Sequence, residues 1–150
     1  MTDCIFMDID GTLADGAHRV HLLPQGEARQ SAEAWQAWYD AGADDKLNGE
    51  IAELNNAMAD SCQVIIITGR QESHRRMTQD WLSRHGIHWD GLFMRETGDH
   101  RDDWVVKREL LQRLRANGFN ILFAVEDRKQ VVKMWREEGV RCLQVCEGDY

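Results

Sequence analysis

Asp8 and Asp10 stand two residues apart in the segment Asp8-Ile9-Asp10-Gly11-Thr12, directly after the apolar run Cys4-Ile5-Phe6-Met7. Alternate side chains of a strand share a face, so both carboxylates emerge on one side where a buried strand ends, and Gly11 lets the chain turn just beyond them. Paired acids at such a point are costly unless a cation or a hydrogen-bond donor meets them. Asp-Gly is also among the commonest turn dipeptides, so the pair alone does not decide between a turn and a site. Two further polar groups end apolar runs in the same way: Thr68-Gly69-Arg70 follows Val64-Ile65-Ile66-Ile67, and Glu126-Asp127 follows Ile121 to Val125. A fourth signal is a matter of helix phase. Lys107 lies three residues after Trp104, four before Leu111 and seven before Leu114, on the apolar stripe of its helix. A lysine there either snorkels outward or meets negative charge, and acidic strand ends nearby favour the second.

These groups need elements to position them. The continuous apolar runs read as strands covered on both faces. Between them fall helical patterns, one following Thr68-Gly69-Arg70 and running to Gly86, one from about Asp103 to Asn117 and one from Lys129 to Glu138, with a short strand at Leu92-Phe93-Met94, a charged loop from Arg95 to Asp102 and a last strand from Val140 to Val145. Gly86, Gly118 and Gly139 each separate a helical pattern from the next strand, where a left-handed helix cap belongs. Strands alternating with helices imply right-handed crossovers and a parallel sheet, an α/β three-layer Rossmann-like sandwich of about five strands. In such sheets ligands bind beyond the carboxyl ends of the strands, and Asp8-x-Asp10, Thr68-Gly69-Arg70 and Glu126-Asp127 all fall there. Residues 13–62 show no buried strand and read as a helical insertion. A helix from Ala32 to Tyr39 carries Trp35 and Trp38, and Leu47, Ile51, Leu54 and Met58 step by four, three and four as an amphipathic helix.

At 150 residues the chain has the length of one domain, 1–150. A formal charge of −8 argues against a broad nonspecific nucleic-acid surface and leaves room for a small basic site. No apolar stretch has membrane-span length and the N-terminus has no basic-then-apolar signal, so a cytoplasmic protein is expected. Cys142 and Cys146 would lie about 13 Å apart along a strand, which argues against a shared metal or disulfide, and Cys4 and Cys62 read as buried thiols.

The order D-x-D-G-T, strand-terminal Thr68, Lys107 and the Glu126-Asp127 pair resembles the haloacid dehalogenase-like phosphohydrolases. Val125-Glu126-Asp127-Arg128-Lys129-Gln130-Val131-Val132-Lys133-Met134-Trp135-Arg136, Gly139-Val140, Gln144-Val145, Val105-Val106-Lys107 and Gly148-Asp149-Tyr150 are similar to the 3′-phosphatase domains of phage-type polynucleotide kinase/phosphatases. That resemblance implies a HAD-like fold with residues 13–62 as a small cap. It implies Asp8 as nucleophile, Asp10 as general acid and base, Thr68 and Lys107 on the phosphoryl oxygens, and Thr12, Arg19, Gly69 and Arg70 as further phosphate or substrate contacts. Mg²⁺ would be held by Asp8, the backbone carbonyl of Asp10 and Asp127, with Glu126 as the neighbouring acid, one methylene longer than the aspartate frequent in that family. No G-x-x-x-x-G-K-[ST] is present to carry a kinase activity. The implied substrate is a nucleic-acid 3′-phosphate. A nucleotidase, a small-metabolite phosphatase or a phospho-accepting receiver module are the alternatives; no membrane partner is implied, and the oligomeric state is open. Trp35 or Trp38 either stack on a terminal base or pack the cap, and Asp103 either caps its helix, the reading preferred on sequence, or orients Lys107 or Arg70.

Overall fold

A computed structural model describes residues 1–149; Tyr150, the last residue of the Gly148-Asp149-Tyr150 segment, lies outside them. The elements in chain order are β1 (Thr2–Met7), β2 (Ala14–Asp15), α1 (Ala32–Ala41), β3 (Lys46–Leu47), α2 (Gly49–Met58), β4 (Gln63–Gln71), α3 (Arg75–Arg84), β5 (Gly91–Arg95), α4 (Asp103–Ala116), β6 (Phe119–Arg128), α5 (Lys129–Glu137) and β7 (Cys142–Gly148). Short 3-10 turns cover Ala17–Leu22, Gly26–Gln30, Gly42–Asp44 and Glu72–His74.

Five strands form one parallel sheet in the order β5-β4-β1-β6-β7. The chain runs outward from β1 through β4 and β5, then crosses back to the other side of β1 for β6 and β7. The carboxyl ends of β4, β1 and β6 therefore stand side by side where strand order reverses. The two-residue alternation divides the core. Cys4, Phe6, Ile65 and Ile67 pack with Leu111, Val131 and Trp135 of α4 and α5, whereas Ile5, Met7, Val64 and Ile66 pack with Ala52, Trp81 and Leu82 of α2 and α3. This is the three-layer α/β sandwich expected from the sequence. Gly86, Gly118 and Gly139 all take positive φ, 66°, 85° and 76°, as left-handed helix ends require.

Three details differ from the sequence reading. Residues 13–62 do contain strands, but β2 and β3 are a two-residue antiparallel pair too short to show a pattern. Leu47 belongs to β3 rather than to the helix that follows, so only Ile51, Leu54 and Met58 of its apolar series lie on α2. The strands β4 and β6 run on through the polar residues Thr68 to Gln71 and Glu126 to Arg128, with a register irregularity in each. Among the described residues no helix is long and apolar enough to cross a membrane, and all four cysteines are free thiols.

Candidate active site

Asp8 follows β1 directly and is 6% exposed. One of its carboxylate oxygens accepts a hydrogen bond from Lys107 Nζ at 2.8 Å, and the other accepts from the Thr12 hydroxyl at 3.2 Å. Lys107 reaches it from α4, 1% exposed, and donates equally to Glu126 Oε2 at 2.8 Å, with the Asp103 carboxylate at 3.3 Å. The apolar stripe that carries Lys107 thus aims an ammonium at the strand ends, and it does not snorkel. The Thr12 hydroxyl also lies 3.3 Å from Asp127 Oδ1; its one proton is shared between two carboxylates. Glu126 turns its second oxygen to the backbone N–H groups of Asp127 (3.1 Å) and Arg128 (3.2 Å), which fixes the end of β6.

Asp8, Glu126 and Asp127 present oxygen atoms within 4.8 Å of one another, all buried. Burial first, and then the charge of Glu126, push the Asp8 pKa well above the ordinary carboxylate range against the pull of Lys107. Burial likewise lifts Glu126, to about 7, with Asp103 and Asp127 adding to it and Lys107 opposing. For Lys107 burial works against the charge, but Asp103, Asp8 and Glu126 outweigh it and hold the pKa well above its usual value. Three crowded carboxylates facing one ammonium are short of positive charge, and an all-oxygen donor set fits a hard divalent cation. Gly148 allows this crowding, because a Cβ there would sit 2.8 Å from Asp127 Oδ2.

A stability signature follows from Glu126. Its proton is bound more tightly in the folded chain than in the unfolded one, where the ordinary value is 4.5. Its contribution is therefore complete at low pH and is lost as pH rises through about 7. In chelator, the thermal midpoint is expected to fall between about pH 5 and about pH 8, and Glu126→Gln should flatten that slope. An identical slope in the variant would assign the effect to another group.

Asp10, two residues on, belongs to a different cluster. Its Oδ1 accepts from Arg19 Nη2 at 2.6 Å and Arg70 Nη2 at 2.8 Å, and its Oδ2 accepts from Arg70 Nε at 3.1 Å. Asp45, between α1 and β3, completes a quartet in which Asp10 alone reaches the cleft: its oxygens accept from Arg19 Nε at 2.7 Å, Arg19 Nη2 at 2.6 Å and Arg70 Nη2 at 3.1 Å. Trp38 stacks on the Arg19 guanidinium at 4.0 Å. Burial alone would raise the Asp10 pKa, but Arg70 first and then Arg19 overcome it and hold the carboxyl well below the usual range. Arg19 and Arg70, each 1% exposed, are thus brought to Asp10, and neither lines the cleft described below. The sequence offered no signal for Asp45, which follows no motif and meets its partners only through the fold.

An open cleft of about 300 Å³ runs over the strand ends. Asp8, Asp10, Gly69, Glu126 and Asp127 form its floor, and Trp35, Trp38 and Tyr39 of α1 overhang it, with Arg29 and Arg128 among its cations. Thr68 is fully buried beneath it, its hydroxyl accepting from the Arg70 N–H at 3.2 Å. The cap reading of Asp103 is corrected here. Asp102 holds the N-cap position, and the Asp103 carboxylate turns inward to Lys107, with Arg95 at 3.5 Å and Arg128 at 3.9 Å. Gly69 makes that possible: a Cβ there would stand 2.6 Å from Asp103 Oδ1. Gly69→Ala is expected to push Asp103 off Lys107 and lower turnover about tenfold or more, with the fold retained; turnover at the parent rate would show that Asp103 does not set the position of Lys107.

A family model, the polynucleotide kinase PNKP phosphatase domain, matches residues 2–150. Among solved structures, a Pnkp1/Rnl/Hen1 complex contains a chain that superposes on all of this one with a TM-score of 0.80 at 30% identity, and 48% of that chain is covered. A Pnkp1/Rnl/Hen1 RNA repair complex gives 0.84 at 29% identity, again over all of this chain and over 44% of its counterpart. This chain therefore spans less than half the length of either. A haloacid dehalogenase-like family hydrolase from Streptococcus pneumoniae, 20% identical with a TM-score of 0.64 over 96% of this chain and 84% of that one, shares the fold.

Proposed function

The chain belongs to the PNKP phosphatase-domain family and is a HAD-type phosphatase, and we propose that it removes 3′-phosphate from nucleic-acid ends through an aspartyl phosphate on Asp8. The observation that carries this reading is the Asp8 carboxylate, held at 2.8 Å by Lys107 on the floor of an open cleft that Asp10 also lines. Two anions must meet in such a reaction, and positive charge fixed beside the nucleophile removes their repulsion.

In the first half, Asp8 forms a bond to phosphorus as the bond from phosphorus to the sugar 3′-oxygen breaks, and Asp10 gives that oxygen its proton. In the second half Asp10 takes a proton from water, the water oxygen attacks phosphorus, and Asp8 and inorganic phosphate are released. The arginines hold Asp10 ionised, as the second half requires. A phosphate anion arriving in the cleft beside Asp10 offsets the charge of the two arginines, so the carboxyl can carry the proton of the first half. Asp8 and Asp127, with the Asp10 carbonyl and Glu126 beside them, would hold Mg²⁺, which when bound supplies further charge for the incoming phosphate. Residues 13–62 act as a small cap that leaves the mouth open to a strand end. The free thiols suit a reducing compartment such as the cytoplasm.

Phosphate release in Mg²⁺ from a 3′-phosphorylated oligonucleotide, its 5′-phosphorylated counterpart and free mononucleotides tests the substrate. The 3′-phosphorylated oligonucleotide is expected to be the best of the three. Equal or faster release from mononucleotides would make the protein a nucleotidase instead. Removal of Mg²⁺ by chelation should abolish release from all three.

A further inference from the structure

The chain carries an excess of acid, yet one groove is basic. Between α5 and the edge strand β7, Lys129, Lys133 and Arg136 line a channel floored by Val132 and Gln144, with Glu137 at its far end. Lys129, Lys133 and Arg136 follow one another at intervals of four and three on one helix face, about 6 Å and then about 4.5 Å apart along the axis. Both lysines are more than three-quarters exposed. Each lysine has one acidic neighbour at ion-pair distance: Asp149 lies 3.7 Å from Lys129 Nζ and Glu137 3.7 Å from Lys133 Nζ. Exposed pairs of that kind contribute little and yield readily to a stronger anion.

The groove starts one residue from the cleft. Arg128 lines the cleft and Lys129, the next residue, lines the groove. Gln144 in the groove wall donates to the backbone carbonyl of Asp127 at 3.1 Å, so groove and site share one strand end. A phosphodiester strand whose 3′ end is seated over Asp8 needs a way out, and a row of cations one helical turn apart matches successive backbone phosphates.

We propose that the α5–β7 groove is a binding track for the nucleotides preceding the 3′-terminal one, with Lys129 and Lys133 contacting backbone phosphates. This rests on the polynucleotide-end reading of the site, and its test can fail separately from that reading. Lys129→Gln/Lys133→Gln is compared with the parent protein in two assays. In the first, kcat/KM is measured on a 3′-phosphorylated ten-nucleotide single strand and on a nucleoside 3′-monophosphate. The double variant should lose about tenfold on the oligonucleotide at low salt, chiefly through KM, and nothing on the mononucleotide. In the second, binding of the same single strand ending in a 3′-hydroxyl is followed by fluorescence anisotropy against salt. The variant should show a log–log salt slope shallower by about 1.4, two contacts at about 0.7 each.

Unchanged oligonucleotide binding and an unchanged oligonucleotide-to-mononucleotide ratio in the variant would overturn the track. If neither 3′-phosphate is hydrolysed but the parent binds the strand and the variant binds it less, the reading of the reaction falls and the track stands.

Discussion

Asp8→Asn is expected to abolish turnover, by about 10⁴-fold or more, while leaving the protein folded. The amide cannot form an acyl phosphate, and no neighbouring group replaces it: Glu126 is committed to Lys107 and two backbone N–H groups. Stability should not suffer. Asparagine removes one charge from a buried cluster where burial and Glu126 already penalise the Asp8 carboxylate, and Lys107 keeps Glu126 and Asp103. The metal-free variant should therefore melt no lower than the parent. Phosphate release over many turnovers and the melting midpoint check both halves. Residual release above about 1% of the parent rate would remove Asp8 from the role of nucleophile. One stable phosphoryl group per chain, without turnover, would instead favour a receiver module.

Asp45→Ala carries the largest expected cost in stability, about 3–5 kcal/mol, the range for breaking a buried ion cluster from one side. The Asp45 side chain is fully buried, and its loss leaves Arg19 and Arg70 with Asp10 as the remaining carboxylate of the quartet. Two buried guanidiniums would then share one acid, which itself faces the cleft. Urea unfolding measures the effect; a change under about 1 kcal/mol would show that the cluster relaxes without Asp45. Asp45→Asn keeps the shape and one acceptor, and should fall between the parent and the alanine variant.

The architecture was open to reading from the sequence because the sheet strands are built on short apolar runs and three helices, α3, α4 and α5, end at a glycine that takes positive φ. Lys107 was legible for a related reason, since helix phase reveals a charge on an apolar stripe. Asp45 was not. Its partners are 26 and 25 residues away in sequence, Arg19 and Arg70, and its own segment of two-residue strands and 3-10 turns has no period to betray which side chains face inward. Asp103 was visible but misread, because an acid in the first turn of a helix ordinarily satisfies the helix terminus, and only the absence of a Cβ at Gly69 lets it turn to Lys107 instead. The resemblance implies arginines that face substrate, and no spacing in the chain signals that Asp10 and Asp45 occupy them first.

The quartet has a consequence for motion. Arg19 and Asp45 lie within residues 13–62, Arg70 on β4 and Asp10 just beyond β1, and the Trp81 indole of α3 donates to the Asp45 carbonyl at 2.9 Å. A segment tied down by buried charge cannot swing aside as a hinged lid without bringing ions out of a low-dielectric site. Its slowest backbone amides should then exchange with solvent together with those of β1, in one cooperative opening rather than as an independent unit.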